Sequence, residues 1–280
     1  MGAIKTKILD LLIAMLISID TALGNSINFL NFDFINVRGS GLQAAFYDAY
    51  RTVYGNIRPA LIPIATTIIA TCYMIELGKD AVKLDAVRFE TGIKLVIKFT
   101  VANAALNISS DLLIAIYGRL TGVMNTMVTS VGSAGSIRTA VETPLRNLIN
   151  GMGTWDTIGF AITMIVVFLV IWVVVLLVYV MAISRATEII LYIAIAPLPA
   201  AFIPLEHSRI PIRFATSFVG VVLQGLVIFV SIFIYNKIIS TAITATGDIV
   251  ELAAQMLVCT FVMAFMVFKS GSFAKSILGG

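Results

Sequence analysis

The sequence predicts an all-α integral membrane protein with about five to six transmembrane helices, N-terminal amphipathic helices and one segment broken by proline. Three observations carry this expectation. Residues 158–183, IGFAITMIVVFLVIWVVVLLVYVMAI, contain no charge, and about 20 apolar residues suffice to cross the hydrocarbon core. A soluble helix of that length would keep a polar face, and this one has none. Apolar residues make up 59% of the 280-residue chain and charged residues only 12%, where soluble domains run at roughly 25% charged. Mean hydropathy is +1.02. The net charge of +4 comes from Lys and Arg scattered near the ends of apolar runs, where such residues set topology rather than form a nucleic-acid footprint.

The elements follow in chain order. Ile4, Ile8, Leu11, Leu12, Met15, Leu16, Ile19 and Leu23 recur at helical spacing. The start MGAIKTK with Ala22, Leu23 and Gly24 faintly resembles a secretory signal, but the apolar stretch is short and follows Asp10. An uncleaved amphipathic helix lying in the interface is therefore expected. A loop at residues 24–40 leads to a second amphipathic helix at 41–54, and the first clear span at 59–77. Lys79, Asp80, Lys83, Asp85, Arg88 and Glu90 mark the loop after it.

The next span, residues 93–117, is unusually polar. At 100° per residue Thr100, Asn103, Asn107, Ser110 and Asp111 fall within about a third of the circumference. Lys94 and Lys98 fall on the opposite side. A polar stripe in lipid is costly and faces protein or water. It fits either hydrogen bonding inside a helix bundle or the lining of a pore or gate. Residues 121–155 are the longest stretch read as non-spanning, with the Gly/Ser-containing run 130–136 and the helix-start signal Thr143, Pro144.

The charge-free span is expected to end at Ser184 and Arg185. Pro197, Pro199 and Pro204 then interrupt an apolar stretch, each removing a backbone donor. Irregular backbone at membrane depth survives only inside protein or beside a water-filled cavity, so this is a broken span or a re-entrant hairpin. Residues 214–235, with Gln224 near the middle, and 250–268, with Glu251 near the start, complete the spans. The expected organisation is an extramembrane or interfacial region at 1–55, two spans at 56–118, a loop at 119–156, a membrane bundle at 157–270 and a basic tail at 271–280.

The Lys/Arg bias favours five spans plus a re-entrant segment over six full spans. That arrangement puts Lys79, Lys83, Arg88, Lys94, Arg185, Arg209, Arg213, Lys269 and Lys275 inside, against Arg119, Arg138, Arg146 and Lys237 outside. Lys5, Lys7, Arg38, Arg51 and Arg58 fall outside, against the rule.

Recognisable enzyme chemistry is missing from the sequence. The single histidine, His207, sits beside Glu206 and Arg209 and reads as solvated. No Cys/His spacing suits a metal, and Gly78-Lys79 lacks the rest of a phosphate-binding loop. Neither a catalytic residue nor a cofactor site is expected. Cys72 and Cys259, far apart in apolar runs, read as buried free thiols. Glu76, Glu188 and Glu251 lie near span ends, where carboxylates snorkel; Arg185 and Glu188, three apart, form a possible ion pair. Asp111 lies deeper than the other carboxylates and is the strongest single candidate for a gating or lining role.

Two stretches carry a family resemblance. One runs from Arg88 through Lys94 and Lys98 to Asn103 and Asn107. The other contains Arg185, Tyr192 and Ala196-Pro197-Leu198-Pro199, followed by Leu223-Gln224-Gly225 in the next span. Their order and spacing resemble the TrbL-like polytopic membrane subunits of type IV secretion and conjugation systems, in the short form carried by conjugative elements of Gram-positive bacteria. The resemblance covers most of residues 60–270. It implies a channel subunit in the cytoplasmic membrane through which DNA–protein complexes leave the donor, assembly into a homo-oligomeric ring, and contact with ATPases and a coupling protein. A secondary transporter with its substrate site at the broken segment is the alternative, although such folds usually pair broken helices in two related halves. An intramembrane enzyme would need a nucleophile–base pair or metal ligands that the sequence does not offer.

Overall fold

A computed structural model describes residues 2–82, 89–131, 143, 145–147, 149–151, 153–205, 208–245 and 249–278. Among these the secondary structure is helical throughout, without a strand. The main elements are α1 (Gly2–Leu30), α2 (Leu42–Thr52), α3 (Arg58–Val82), α4 (Phe89–Val131), α5 (Thr154–Ile195), α6 (Pro197–Ala200), α7 (Ile210–Ala245) and α8 (Ile249–Ile277). A π-helical turn, Val53–Ile57, joins α2 to α3 without a loop. Six stretches among the described residues are long and apolar enough to cross a membrane: Lys5–Leu30, Leu42–Lys79, Gly92–Thr129, Trp155–Ile195, Ile210–Ile239 and Ala253–Ile277. The protein is an all-α, multi-pass membrane protein. Residues 132–136, Pro144, Glu206 and His207, and the loop charges Lys83, Asp85, Arg88 and Arg138 lie outside the described residues.

Several helices outrun their expected ends. The helix of α4 continues past residue 117 to Val131. Its threonines are satisfied within it: Thr121, Thr126 and Thr129 donate their hydroxyls to carbonyls four residues earlier, so none is left without a partner. Nor does α5 stop at Arg185; it runs ten residues further, to Ile195. Arg185 Nη1 donates to Glu188 Oε2 at 2.5 Å within the helix, so both charges have partners while the backbone continues. The helix ends where Pro197 and Pro199 each remove one backbone donor, two residues apart. At 42 residues α5 is about 63 Å long, roughly twice the hydrocarbon thickness.

The chain divides into two compact units. The first comprises Met1–Asn31, Gly122–Ser184 and Leu223–Gly280; the second comprises Phe32–Thr121 and Arg185–Val222. In the first, the apolar stripe of α1 is packed: Leu12, Leu16, Ile19 and Leu23 are buried, as are Leu9 and Ile13, while Leu11 stays half exposed. Met164, Phe168 and Val175 of α5 and Ile228 and Ile232 of α7 are fully enclosed. Two polar pairs join α7 to α8. Gln224 Nε2 donates to Ser270 Oγ at 3.0 Å, and the hydroxyls of Tyr235 and Thr260 lie 2.9 Å apart. Gly271 permits the first, because a Cβ there would come within 3.1 Å of the Gln224 amide.

The second unit is built on small residues. Ala65 and Ile69 of α3, Ala102 and Leu106 of α4 and Ala201 after α6 form its buried centre, flanked by Phe99 and Leu198. Alanines allow close backbone approach, the usual route to helix association in lipid. The loop before α2 is pinned to α4. Asp33 Oδ1 accepts from the Ile35 and Asn36 amides, Tyr117 donates its hydroxyl to the Phe32 carbonyl at 2.9 Å, and Phe34 packs 5.0 Å from the Tyr117 ring. Glu76 does not snorkel outward. It is buried, and Lys79 Nζ reaches back to its Oε1 at 3.1 Å. Cys72 is a buried free thiol and Cys259 a half-buried one.

Candidate functional site

The polar residues of α4 divide by environment. Thr100, Asn107 and Asp111 are exposed on the chain, Asn103 is half-buried and Ser110 is fully buried. Thr100 and Asn107 satisfy themselves within the helix, Thr100 Oγ1 donating to the Val96 carbonyl and Asn107 Nδ2 to the Asn103 carbonyl at 3.0 Å. Local bonds of this kind keep one polar group occupied but leave the Asn107 side-chain oxygen available, so the stripe keeps polar character at its surface.

Asp111 is held by a clamp from the N-terminal side of α3. Tyr54 donates its hydroxyl to Asp111 Oδ1 at 2.7 Å, and Arg58 Nη1 donates to the same hydroxyl oxygen at 3.1 Å. Arg58 Nη2 donates to the Asn107 carbonyl at 2.5 Å, and the guanidinium lies 4.9 Å over the Tyr54 ring. Arg58 Nε is buried with no hydrogen-bond partner. A carboxylate and a guanidinium are thus linked through a phenol rather than in direct contact. The phenol hydroxyl accepts from the cation while donating to the anion, so each bond strengthens the other.

The π-turn builds this clamp. Its wide ring lets the Arg58 amide donate to Val53 O, five residues back. Tyr54 lies inside the turn and Arg58 directly follows it. Such bulges interrupt a helix at an energetic cost and recur at functional positions. Neither Tyr54 nor Arg58 is distinguishable as a site residue in the sequence. Their i, i+4 spacing ahead of a span is a signal only once Asp111 is known to face them.

Ser110 has a different task. Its hydroxyl donates to the Ile193 carbonyl at 3.0 Å in a fully buried setting. In a continuing helix Ile193 O would accept from the amide four residues on, and that residue is Pro197, which has none. Ser110 supplies the missing donor. The polar stripe and the broken segment, separate features in the sequence, therefore meet at one hydrogen bond. Nearby Tyr192 packs against Phe214 at 5.1 Å and Phe218 at 5.9 Å. Pro199 and Pro204 lie in the same turn region, where 3₁₀-type bonds such as Phe202 N to Pro199 O carry the chain toward α7. Gln224 takes no part here, being bonded to Ser270 in the first unit.

Among the described residues no group of three or more His, Cys, Asp or Glu is placed to hold a metal ion. What the arrangement offers is a line of hydrogen-bonding groups along one membrane helix, with one clamped carboxylate. Residues 40–197 match the family model described as TrbL/VirB6 plasmid conjugal transfer like protein. No curated protein sequence and no solved structure matches the chain. The matched stretch takes in the clamp, the whole polar stripe and the start of the broken segment. It is 158 of the 280 residues, and on that match the chain belongs to the TrbL/VirB6 plasmid conjugal transfer-like family.

Proposed function

We propose that the chain is a non-enzymatic channel subunit of a conjugative, type IV secretion apparatus, and that the stripe of α4 lines part of the DNA–protein path across the cytoplasmic membrane. The carrying observation is the exposure of Asn107 and Asp111 on a helix long enough to span the bilayer. Exposed polar groups at membrane depth need protein or water against them, because lipid offers no partner. A single chain with one such surface suits a path formed between copies, which motivates a homo-oligomeric ring. ATPases and a coupling protein supply the energy and the cargo, since the chain carries no nucleotide-binding loop.

The test is conjugation frequency from donors carrying Asn107→Leu or the double variant Arg58→Leu, Asp111→Leu, which leaves neither charge of the clamp alone, with the amount of membrane-inserted protein measured alongside. Lining residues give a strong drop in transfer at normal accumulation. Normal transfer from both variants removes the lining role. Affinity purification from donor membranes tests the partners: a secretion ATPase and a coupling protein should accompany the chain, and a clean preparation after crosslinking counts against the assembly.

A further inference from the structure

Within the first unit, α1 turns a polar face outward. At 100° per residue, Lys7, Asp10, Ala14, Ser18, Thr21 and Asn25 fall within about 80° of one another. All six are exposed. Leu11 is the one large apolar side chain that α1 exposes among the described residues. Its neighbours in the unit differ. Leu169 and Leu176 are exposed on α5, and Phe261 and Phe265 on α8, the kind of surface that acyl chains accept.

The register with α5 fixes the depth of this face. Ser18 shares a cavity with Phe168 and Trp172, and Asn25 shares the next with Leu176 and Tyr179. The numbers rise together, so the two helices run side by side in the same direction. Residues 18–25 therefore lie beside residues 168–179, inside the charge-free span 158–183. A polar face at that depth does not rest against lipid, which offers it no partner.

Water or protein has to cover it, and the pattern selects water. From Lys7 to Asn25 the face extends about 27 Å, nearly the whole hydrocarbon thickness. Polar side chains that join membrane helices work as isolated groups among small or apolar ones, at about 0.6 kcal/mol each. Here Ala14 is the one apolar member of the six. A neighbouring helix would gain little packing and would need a matched donor or acceptor at nearly every turn. Water satisfies an unmatched row without that requirement.

We propose that this face of α1 is wetted across the membrane and forms part of the wall of an aqueous passage. Between Ala14 and Asn25 the face carries no charge, so it wets without holding a phosphate or a cation tightly, which suits passage rather than binding. One helix face is only part of a wall, so a path closed by several copies still follows. The cargo rests on the channel reading above; the wetted face rests on α1 and α5 alone.

The test is thiol labelling in broken membranes from donors that carry the assembled apparatus. Ser18→Cys, Thr21→Cys and Asn25→Cys are each treated with a charged, membrane-impermeant methanethiosulfonate. The wild-type chain sets the background from Cys72 and Cys259, and Leu169→Cys and Phe261→Cys report the rate for lipid-facing positions. Thiols still free are counted after unfolding in detergent, which shows that each variant is present. The three α1 positions should react at least roughly tenfold faster than the two lipid-facing ones, because hydrocarbon excludes a charged reagent. Slow reaction at all three overturns the proposal, whether lipid covers the face or, where crosslinks to another chain form, a protein helix does. Fast reaction at fewer than three reduces the face to a crevice and overturns the passage. Fast labelling combined with normal transfer from the α4 variants keeps this passage and discards the α4 lining, so the two readings fail separately.

Discussion

The two units solve the same problem, polar groups in lipid, in opposite ways. In the first unit the helices are regular and their contacts use neutral side chains in pairs, Gln224 with Ser270 and Tyr235 with Thr260. One partner of each pair also bonds within its own helix, Ser270 to the Val267 carbonyl and Thr260 to the Met256 carbonyl. In the second unit the backbone itself is interrupted, by the π-turn at Val53–Ile57 and by the prolines after α5. There the inter-helix bonds end on a charge or a main-chain carbonyl. The difference teaches that a neutral pair between intact helices is a modest adhesive, whereas a broken backbone creates a carbonyl that has no other donor to turn to.

That contrast is broken most strongly at the clamp. Arg58→Leu leaves Asp111 with Tyr54 alone. An unbalanced charge near the middle of a span costs on the order of 3 kcal/mol, a loss that should lower accumulation in the membrane several-fold or more. The double variant Arg58→Leu, Asp111→Leu removes both charges and should restore accumulation, as measured by immunoblot of membrane fractions. If the double variant accumulates and still transfers normally, the pair is purely structural. Tyr54→Phe is the intermediate case. It removes the bridging hydroxyl while keeping the ring under the guanidinium, and should lower the melting temperature in detergent by the equivalent of about 1.5–3 kcal/mol.

Next in size is Ser110→Ala, which strands the buried Ile193 carbonyl at a cost of about 1–3 kcal/mol. Its sharpest form is a double-mutant cycle with Pro197→Ala. An alanine at 197 restores the amide that Ile193 would normally use, so Ser110→Ala should be nearly silent in that background. Equal losses in both backgrounds would falsify the donor-replacement account. The smallest effect is expected in the regular unit. Gln224→Leu should cost only about 0.6 kcal/mol, the mean for side-chain hydrogen bonds between membrane helices. A loss as large as that of Ser110→Ala would erase the distinction between the units.

Much of this architecture is legible in the sequence because its signals are local. Residues 158–183 declare a span by composition alone, the α4 stripe by its 100° periodicity, and the break after Tyr192 by two prolines two residues apart. Helix ends are less legible. Arg185 resembles a stop signal, but an i, i+3 partner neutralises it and the helix runs on. Residues 118–131 resemble a loop by their glycines and threonines, yet the helix runs on through them to Val131, the threonine hydroxyls bonding to carbonyls of their own helix. Within the stripe, Ser110 and Asp111 are adjacent candidates on one predicted face, and only Ser110 is buried.

By itself the sequence determines the solvent this protein folds in and where proline breaks the backbone. Those follow from hydropathy, periodicity and the missing amide of proline, none of which needs a distant residue. The tertiary structure decides which polar group answers which. Tyr54 meets Asp111 across 57 residues, Arg58 meets the Asn107 carbonyl across 49, and Ser110 meets the Ile193 carbonyl across 83. A hydrogen bond of 3 Å depends on how helices cross rather than on what either helix is made of, so no reading of one segment contains it.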